Sequence, residues 1–513
     1  MGNESPATGT PTGETPPASL SPSLPLPLPR LPFPVVDEIA RHCLRDDEPE
    51  TVHIEVHLPR RLDHTRLRAA FHQALTRHPR ALVRQATARW WHRHYTWQLT
   101  DAPDVDPVAF PPPAHDTLAR ARQRALADCP PLHASPPVRL EVLESPDPSD
   151  GTVLLATLNH TALDAPAGLR ILATTAALYD GADNSPAPPP ARPSAPMDSR
   201  PLRTLTGTPA LSRPTHIAPS HGPGHNNRSG SGNVADDSST TAPHAPHHHT
   251  DLISDPGTAN GMLLADLPVP ARPPRIDGRP PWTVNDQLLV ATWLMATRWN
   301  RLHGRPGSPV VITMPVDDRP RGDEMPIGNG TRLVPVGFGP QERRDADTLA
   351  TDPPAPEAMA RLLRGTAART RALKSAPGAP LGPVGTVLTT PALPVGVRRA
   401  LTRALRTAAV PWTSTTLLSN IGRVPYPLDF GAGGRPTAVW FSAPARMPRG
   451  LTVTTVSVGD RIQLTLRWSH TLLDAAAGAR LGALFARCLA ATSWPHPPPG
   501  PPPAPQAQEG DAR

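Results

Sequence analysis

The chain has 513 residues, with 51 Lys plus Arg against 44 Asp plus Glu, a formal charge of +7, 74 Pro and 36 Gly. Pro far exceeds the roughly 5% of ordinary domains, and only 10 Trp, 3 Tyr and 7 Phe are available for packing, so part of the chain cannot be core. The one lysine, Lys374, follows Leu373 rather than Gly, which excludes a G-x-x-x-x-G-K phosphate loop and argues against a lysine Schiff base.

In chain order, residues 1–36 come first as a Pro-rich tail including SPSLPLPLPRLPFP, with no basic region leading into an apolar run. Val52, Ile54, Val56 and Leu58 alternate with His53, Glu55 and His57, which predicts a strand with His53 and His57 on a solvated face. Asp63 is a candidate N-cap for a helix carrying Leu67, Phe71 and Leu75, and Pro79 stops it. Strands are expected at 81–85, 90–99, 138–143 and 152–158. Trp90, Trp91 and Trp97 then serve as core rather than as a stacking platform. The last of these strands leads into NHTALDAPAG and an apolar helix ending near Tyr179.

No Phe, Trp or Tyr occurs between Tyr179 and Trp282, and Pro, Ser, Gly, Asn and His dominate much of that stretch. Such a composition cannot bury enough apolar surface to offset its ordering entropy, so 182–261 is expected to be a structureless linker between domains at 37–181 and 262–493. His244, His247, His248 and His249 lie in it, and no metal site is expected. The second half predicts a helix at 283–302, strands at 310–316, 331–336, 415–419, 438–442, 451–458 and 462–468, and a helix at 474–489. Residues 494–513 form a second Pro-rich tail. Mixed strands and helices without strict alternation indicate an α+β fold.

Cys43, Cys129 and Cys488 are odd in number and distant, which argues against a disulfide framework or a thiolate zinc site. No run approaches the roughly 18 apolar residues of a spanning helix. The expectation is a soluble cytoplasmic protein. Scattered arginines without a recognition motif give no reason to expect a nucleic-acid partner.

Both halves close on one motif. His160–Arg170 reads HTALDAPAGLR and His470–Arg480 reads HTLLDAAAGAR, identical at eight of eleven positions. In each, an apolar strand runs into the His and an apolar helix leaves after the Asp, which points to a duplicated domain. A rigidly held imidazole at such a junction can take a proton from a hydroxyl or amine, because its pKa lies near working pH. Asp164 either pairs with a buried Arg or simply caps the helix, with Pro166 tolerated in the first turn.

NHTALDA following an apolar strand resembles the HHxxxDG motif of the chloramphenicol-acetyltransferase-like superfamily, which includes condensation domains and polyketide-associated acyltransferases. LDHTRLRAAFHQALTRHPRAL, WTVNDQLLVATWLMATRWN, ITMPVDDRP, IGNGTRLVPV and LLSNIGRVP are similar to further segments in the same order. DFGAG at 429–433 is similar to a DFGWG signature of some relatives. The resemblance implies two mixed-sheet sandwich domains arranged as a V-shaped pseudo-dimer around a tunnel, in a monomer. It implies an acyl donor that is a thioester on coenzyme A or on the phosphopantetheine arm of an acyl or peptidyl carrier protein, with no bound cofactor, and a small-molecule hydroxyl or amine acceptor.

Carried onto this chain, the resemblance makes His160 the base and Asp164 the motif's Asp, with Arg319 as its partner. Asn159 stands at the motif's first His, and Ala165 at its Gly, where a methyl narrows the tunnel. His470 and Asp474 form a second-copy candidate, and the first copy is preferred because the second is usually eroded in two-domain relatives. Two function classes follow: an acyltransferase, or a condensation-like protein that binds an acylated carrier without turnover.

Overall fold

In the computed structural model the described residues are 2, 28–45, 47–147, 149–182, 213–220, 250–255, 257–276, 278–307, 309–317, 319, 327–339, 342, 356–375, 385 and 388–494. Most of the two tails, and residues 183–212 and 221–249 of the expected linker, including His244, His247, His248 and His249, lie outside them. Among the described residues no helix is long and apolar enough to cross a membrane, and no cluster of His, Cys, Asp and Glu could hold a metal ion.

The first half contains β1 (Arg30–Pro32), α1 (Val35–His42), β2 (Thr51–Leu58), α2 (His64–Arg77), β3 (Val83–Gln85), β4 (Thr96–Leu99), β5 (Val108–Ala109), α3 (Thr117–Ala127), β6 (Val138–Glu144), β7 (Thr152–Asn159) and α4 (Ala165–Asp180). The second contains β8 (Thr250–Ile253), β9 (Asn260–Pro268), α5 (Val284–Leu302), β10 (Val310–Asp317), β11 (Thr331–Phe338), α6 (Pro356–Ser375), α7 (Val395–Ala408), β12 (Thr416–Arg423), β13 (Ala438–Ser442), β14 (Leu451–Val458), β15 (Arg461–Ser469) and α8 (Ala475–Ala490). They form an α+β architecture with two large sheets, ordered β13-β2-β7-β6-β5 and β11-β10-β12-β14-β15-β9-β8, and a small sheet β1-β4-β3. β13 comes from the second half and pairs antiparallel with β2 of the first, Phe441 opposite Ile54.

Local chemistry explains the helix ends. Asp63 caps α2 by accepting from Arg66 N at 2.7 Å. Thr283 and Asp286 form a reciprocal capping box at the start of α5. Gly181 ends α4 in the left-handed conformation at φ 87°. One core packs α2 and α4 against the five-stranded sheet through Ile54, Phe71, Leu158 and Leu169. The other packs α5 and α8 on the seven-stranded sheet through Trp293, Trp299, Trp468 and Phe485.

Several expectations are corrected. Residues 30–36, placed in the tail, form β1 and the start of α1. Pro32 is tolerated because β1 is an edge strand, paired only with β4. The linker is ordered at 213–220, 250–255 and 257–260: Ile217 and Ala218 lie in the second core, Ala218 N donates to Asn300 Oδ1 at 2.8 Å, and β8 extends the seven-stranded sheet. Composition averaged over the window conceals these short apolar pieces. The strand expected from Trp90 begins only at Thr96. Trp90 and Trp91 stand 65% and 49% exposed in a turn, whereas Trp97 is buried and donates to Asp37 Oδ2 at 2.8 Å.

The His53–His57 face is not solvated either. His53 and Glu55 are fully buried, and Glu55 accepts from Arg122 of α3 at 2.8 and 2.6 Å while bonding to His53 and His57 at 3.2 and 2.5 Å. α3 covers the second face of β2, so alternation in the sequence separates two buried environments rather than core from water. DFGAG belongs to neither pocket described below; Phe430 packs against Tyr179 in the first core.

Candidate active site

The strand-to-helix junction after β7 is built from its own backbone. His160 N donates to Glu50 O at 2.8 Å, and Ala162 N and Leu163 N both donate to Asn159 O. Asp164 caps α4, its Oδ1 accepting from Ala167 N at 3.0 Å. The second copy repeats this wiring: His470 N donates to Ala259 O, Leu472 N and Leu473 N to Ser469 O, and Asp474 accepts from Ala477 N at 2.7 Å. The sequence repeat is therefore also a repeat of local structure.

The two imidazoles differ in what surrounds them. Both nitrogens of His470 are taken, Nδ1 by Thr258 O at 2.7 Å and Nε2 by Ser254 Oγ at 3.0 Å. His160 has only Nδ1 engaged, at 3.3 Å from Leu163 O. A carbonyl can only accept, so Nδ1 carries the proton and the Nε2 lone pair is left for chemistry. Burial pushes the His160 pKa below its ordinary value, with Glu50 opposing and Arg446 reinforcing the effect, so the ring is neutral at pH 7.

Both readings of Asp164 hold together. Beyond the cap, its Oδ2 accepts from Arg319 Nη2 and from Gly330 N at 3.2 Å, and Arg319 also donates to Gly328 O. Both side chains of the Asp164–Arg319 pair are buried. Gly330 is required here, because a Cβ would overlap the Arg319 guanidinium. Asn159 turns its amide into two anchors, donating to Pro130 O at 2.9 Å and accepting from Thr161 N at 3.0 Å.

Sequence reasoning missed four of the residues around the base. Asn329 donates to the carbonyls of His160 and Thr161 at 3.1 and 3.0 Å and to Asp37 Oδ1 at 2.9 Å, tying the His loop to α1; the GNG segment was its only signal. Glu50 forms an ion pair with Arg446, 396 positions away, and Arg449 follows on the same turn. Nothing in the local sequence marks these three.

His160, Asp164 and Ala165 line a pocket of about 150 Å³ with Arg446 and Arg449, closed by apolar side chains such as Leu333, Leu417 and Phe441. The walls come from both halves of the chain. A second, larger pocket of about 1420 Å³ is lined by Glu50, Asn159 and Cys129 and by Arg41, Arg399, Arg403 and Arg406. Glu50 faces the large pocket and Arg446 the small one, so their ion pair stands between the two. Burial pushes the Cys129 thiol up to about 12, which removes it as a nucleophile.

No protein-family model matches the chain. Uncharacterized proteins from two Mycobacterium tuberculosis strains are 27% identical over 455 residues, covering 85% of this chain and 93% of their own length. Among solved structures, the starter condensation domain of rhizomide synthetase RzmA, in complex with C8-CoA and Leu-SNAC, aligns at TM-score 0.55 and 14% identity, over 89% of this chain and 93% of that one. The condensation domain of the Monacolin K polyketide synthase MokA aligns at 0.53 and 14%, over 90% and 97%. The trichothecene 15-O-acetyltransferase TRI3 of Fusarium sporotrichioides aligns at 0.54 and 13%, over 91% and 95%. With paired mixed sheets and a strand-His-turn-Asp-helix junction in each half, the chain has the chloramphenicol-acetyltransferase-like fold of these condensation domains and acetyltransferases.

Proposed function

We propose that the protein is an acyltransferase, moving an acyl group from a thioester on coenzyme A or a carrier protein to a hydroxyl or amine, with His160 as general base. One observation carries the reading: of the two repeat histidines, only His160 keeps a nitrogen without a protein partner, and its ring lines a pocket. Nε2 takes the acceptor's proton as the acceptor oxygen or nitrogen bonds to the thioester carbonyl carbon. The carbon–sulfur bond then breaks, and the imidazolium returns that proton to the leaving thiolate. Asp164, held by Arg319, positions the loop and does not touch the reacting atoms. The arginines of the larger pocket support a donor carrying phosphates, since guanidinium groups match phosphate geometry.

The test is acyl transfer by purified full-length protein offered acyl-CoA and acyl-carrier donors with pooled alcohols and amines, read by mass spectrometry. A positioned base contributes typically about 10² to 10⁴ in rate. His160→Ala should lose turnover by that order with the fold intact, while His470→Ala should lower thermal stability more than rate. Transfer that survives His160→Ala undiminished refutes this assignment.

A further inference from the structure

The charges lining the His160 pocket do not balance. Asp164 is neutralised by Arg319, and Arg446 by Glu50. Arg449 is the third guanidinium close to the base, and among the described residues no carboxylate, carbonyl or hydroxyl bonds to it. Its Nε is fully buried without a partner. Its charged neighbours, Arg446 and Arg406, are both cations, and with burial as the larger cause they bring its pKa down to about 10, which still leaves it charged at neutral pH. An unpaired cation that is partly withdrawn from water is costly to maintain, and an anion brought by a ligand would offset that cost.

The side chain is also held in place by its backbone. Arg449 lies on the turn between β13 and β14, where Met447 N donates to Glu48 Oε1 at 2.9 Å, Arg406 Nη2 to Met447 O at 3.0 Å and Gly450 N to Arg446 O at 2.9 Å. Gly450 sits at φ 63°, in the left-handed region that glycine alone enters freely, which turns the chain directly after Arg449. A guanidinium on a fixed turn, in a pocket whose other walls mix apolar side chains with Thr331, Ser419 and Thr452, suits a planar carboxylate that it can grip with two parallel hydrogen bonds.

Deepening the acyl-transfer reading, on which it rests for the identity of the reacting group, we propose that the His160 pocket takes a short carboxylate-bearing group, with Arg449 as its counter-ion. The volume of about 150 Å³ sets the size. An apolar cavity of about that volume takes a ligand near benzene in size, so the group is a short acid. The phosphates of a coenzyme A donor lie at the far end of the pantetheine arm from the thioester and do not meet Arg449 when the thioester meets His160. The carboxylate comes from one of two sources: a donor whose acyl group ends in a second carboxylate, such as a succinyl thioester, or an acceptor that is a short hydroxy or amino acid.

The test begins with binding, which needs no turnover. Calorimetric titration of the full chain with succinate and 4-hydroxybutyrate, against 1,4-butanediol as the neutral counterpart, should show the acids binding and the diol at least tenfold weaker. Arg449→Gln should lose about tenfold or more of the acid affinity, as expected for bonds to a charged group, and Arg449→Lys should recover part of it. Equal binding of acid and diol to the wild type overturns the proposal even if Arg449→Gln fails to fold, as does unchanged acid binding in that variant.

Competition in the transfer assay separates the sources. Preference for succinyl-CoA over butyryl-CoA that disappears in Arg449→Gln assigns the carboxylate to the donor. Preference for 4-hydroxybutyrate over butanol that disappears likewise assigns it to the acceptor. A loss of rate that is the same for charged and neutral substrates makes Arg449 an oxyanion stabiliser and overturns carboxylate recognition. Acid binding that depends on Arg449 in a protein without transfer refutes acyl transfer and leaves the carboxylate pocket standing.

Discussion

His160 and His470 occupy equivalent junctions, and what separates them is one hydrogen bond at Nε2, made by Ser254 in the second copy and absent in the first. A neutral, partly buried base gives a pH dependence whose sign is fixed. The reactive form is deprotonated, and burial lowers the folded pKa below 6.5. kcat/KM should therefore rise with pH along a limb centred below 6.5 and then stay flat until another group titrates; a rising limb centred at or above 6.5 in the pH–rate profile contradicts the assignment. Asp164 supports the same loop through Arg319, Gly330 N and the α4 cap. Removing one member of a buried pair typically costs about 3–5 kcal/mol, because the other charge is left unpaired. Asp164→Asn should lower the unfolding free energy, measured by chemical denaturation, by an amount of that order together with turnover, and a variant with wild-type stability would show that the pair is not holding the loop. The Asp164–Arg319 pairing was legible only through the family resemblance. Arg449 was not legible at all, since its meaning lies in the carboxylate it lacks.

At the scale of elements, the repeated glycines explain why the motif extends past its Asp. Gly168 lets α4 approach the five-stranded sheet, where an added Cβ would lie 2.6 Å from Ile54 Cδ1 and 2.9 Å from Leu158 Cδ2. Gly478 does the same for α8, with its missing Cβ lodged against the Trp468 ring. The neighbours differ in compliance: Ile54 and Leu158 present the ends of flexible chains, whereas the indole is rigid and fully buried. Overpacking costs typically about 1–3 kcal/mol. Both Gly168→Ala and Gly478→Ala should destabilise, with Gly478→Ala the more severe, as measured by chemical denaturation; the reverse order would show that Trp468 can move. α2, α4, α5 and α8 were readable from periodicity, as the Asp63 cap of α2 illustrates, whereas α1, α3, α6 and α7 were not expected from the sequence. β2 shows the limit, because alternation reports two different faces and cannot say that Arg122 and α3 cover the second.

Across the whole molecule the two halves share their sheets and their site. β13 completes the five-stranded sheet of the first half, and Phe430, Val439 and Phe441 enter its core. Arg467 reaches from β15 to Thr51 O and Oγ1 at 2.8 and 2.9 Å. A fragment ending at residue 182 would leave β2, eight residues long, as an unpaired edge with part of its core missing. Such edges template aggregation. The fragment 28–182 should therefore be insoluble or lack cooperative melting when expressed alone, and regain both properties when co-expressed with the remainder of the chain; a monomeric, cooperatively melting fragment would show that β13 is dispensable. The sequence by itself determined the α+β class, the duplicated strand-His-turn-Asp-helix junction and the bounds of α2, α4, α5 and α8, because these depend on periodicity, capping and turn chemistry within a few residues. Only the tertiary structure decided which histidine keeps a nitrogen without a protein partner, that β13 crosses into the other half, and that Glu50, Arg446 and Arg449 meet beside the base. Those outcomes depend on burial and on contacts between residues hundreds of positions apart, and neither quantity is encoded in any local stretch of the chain.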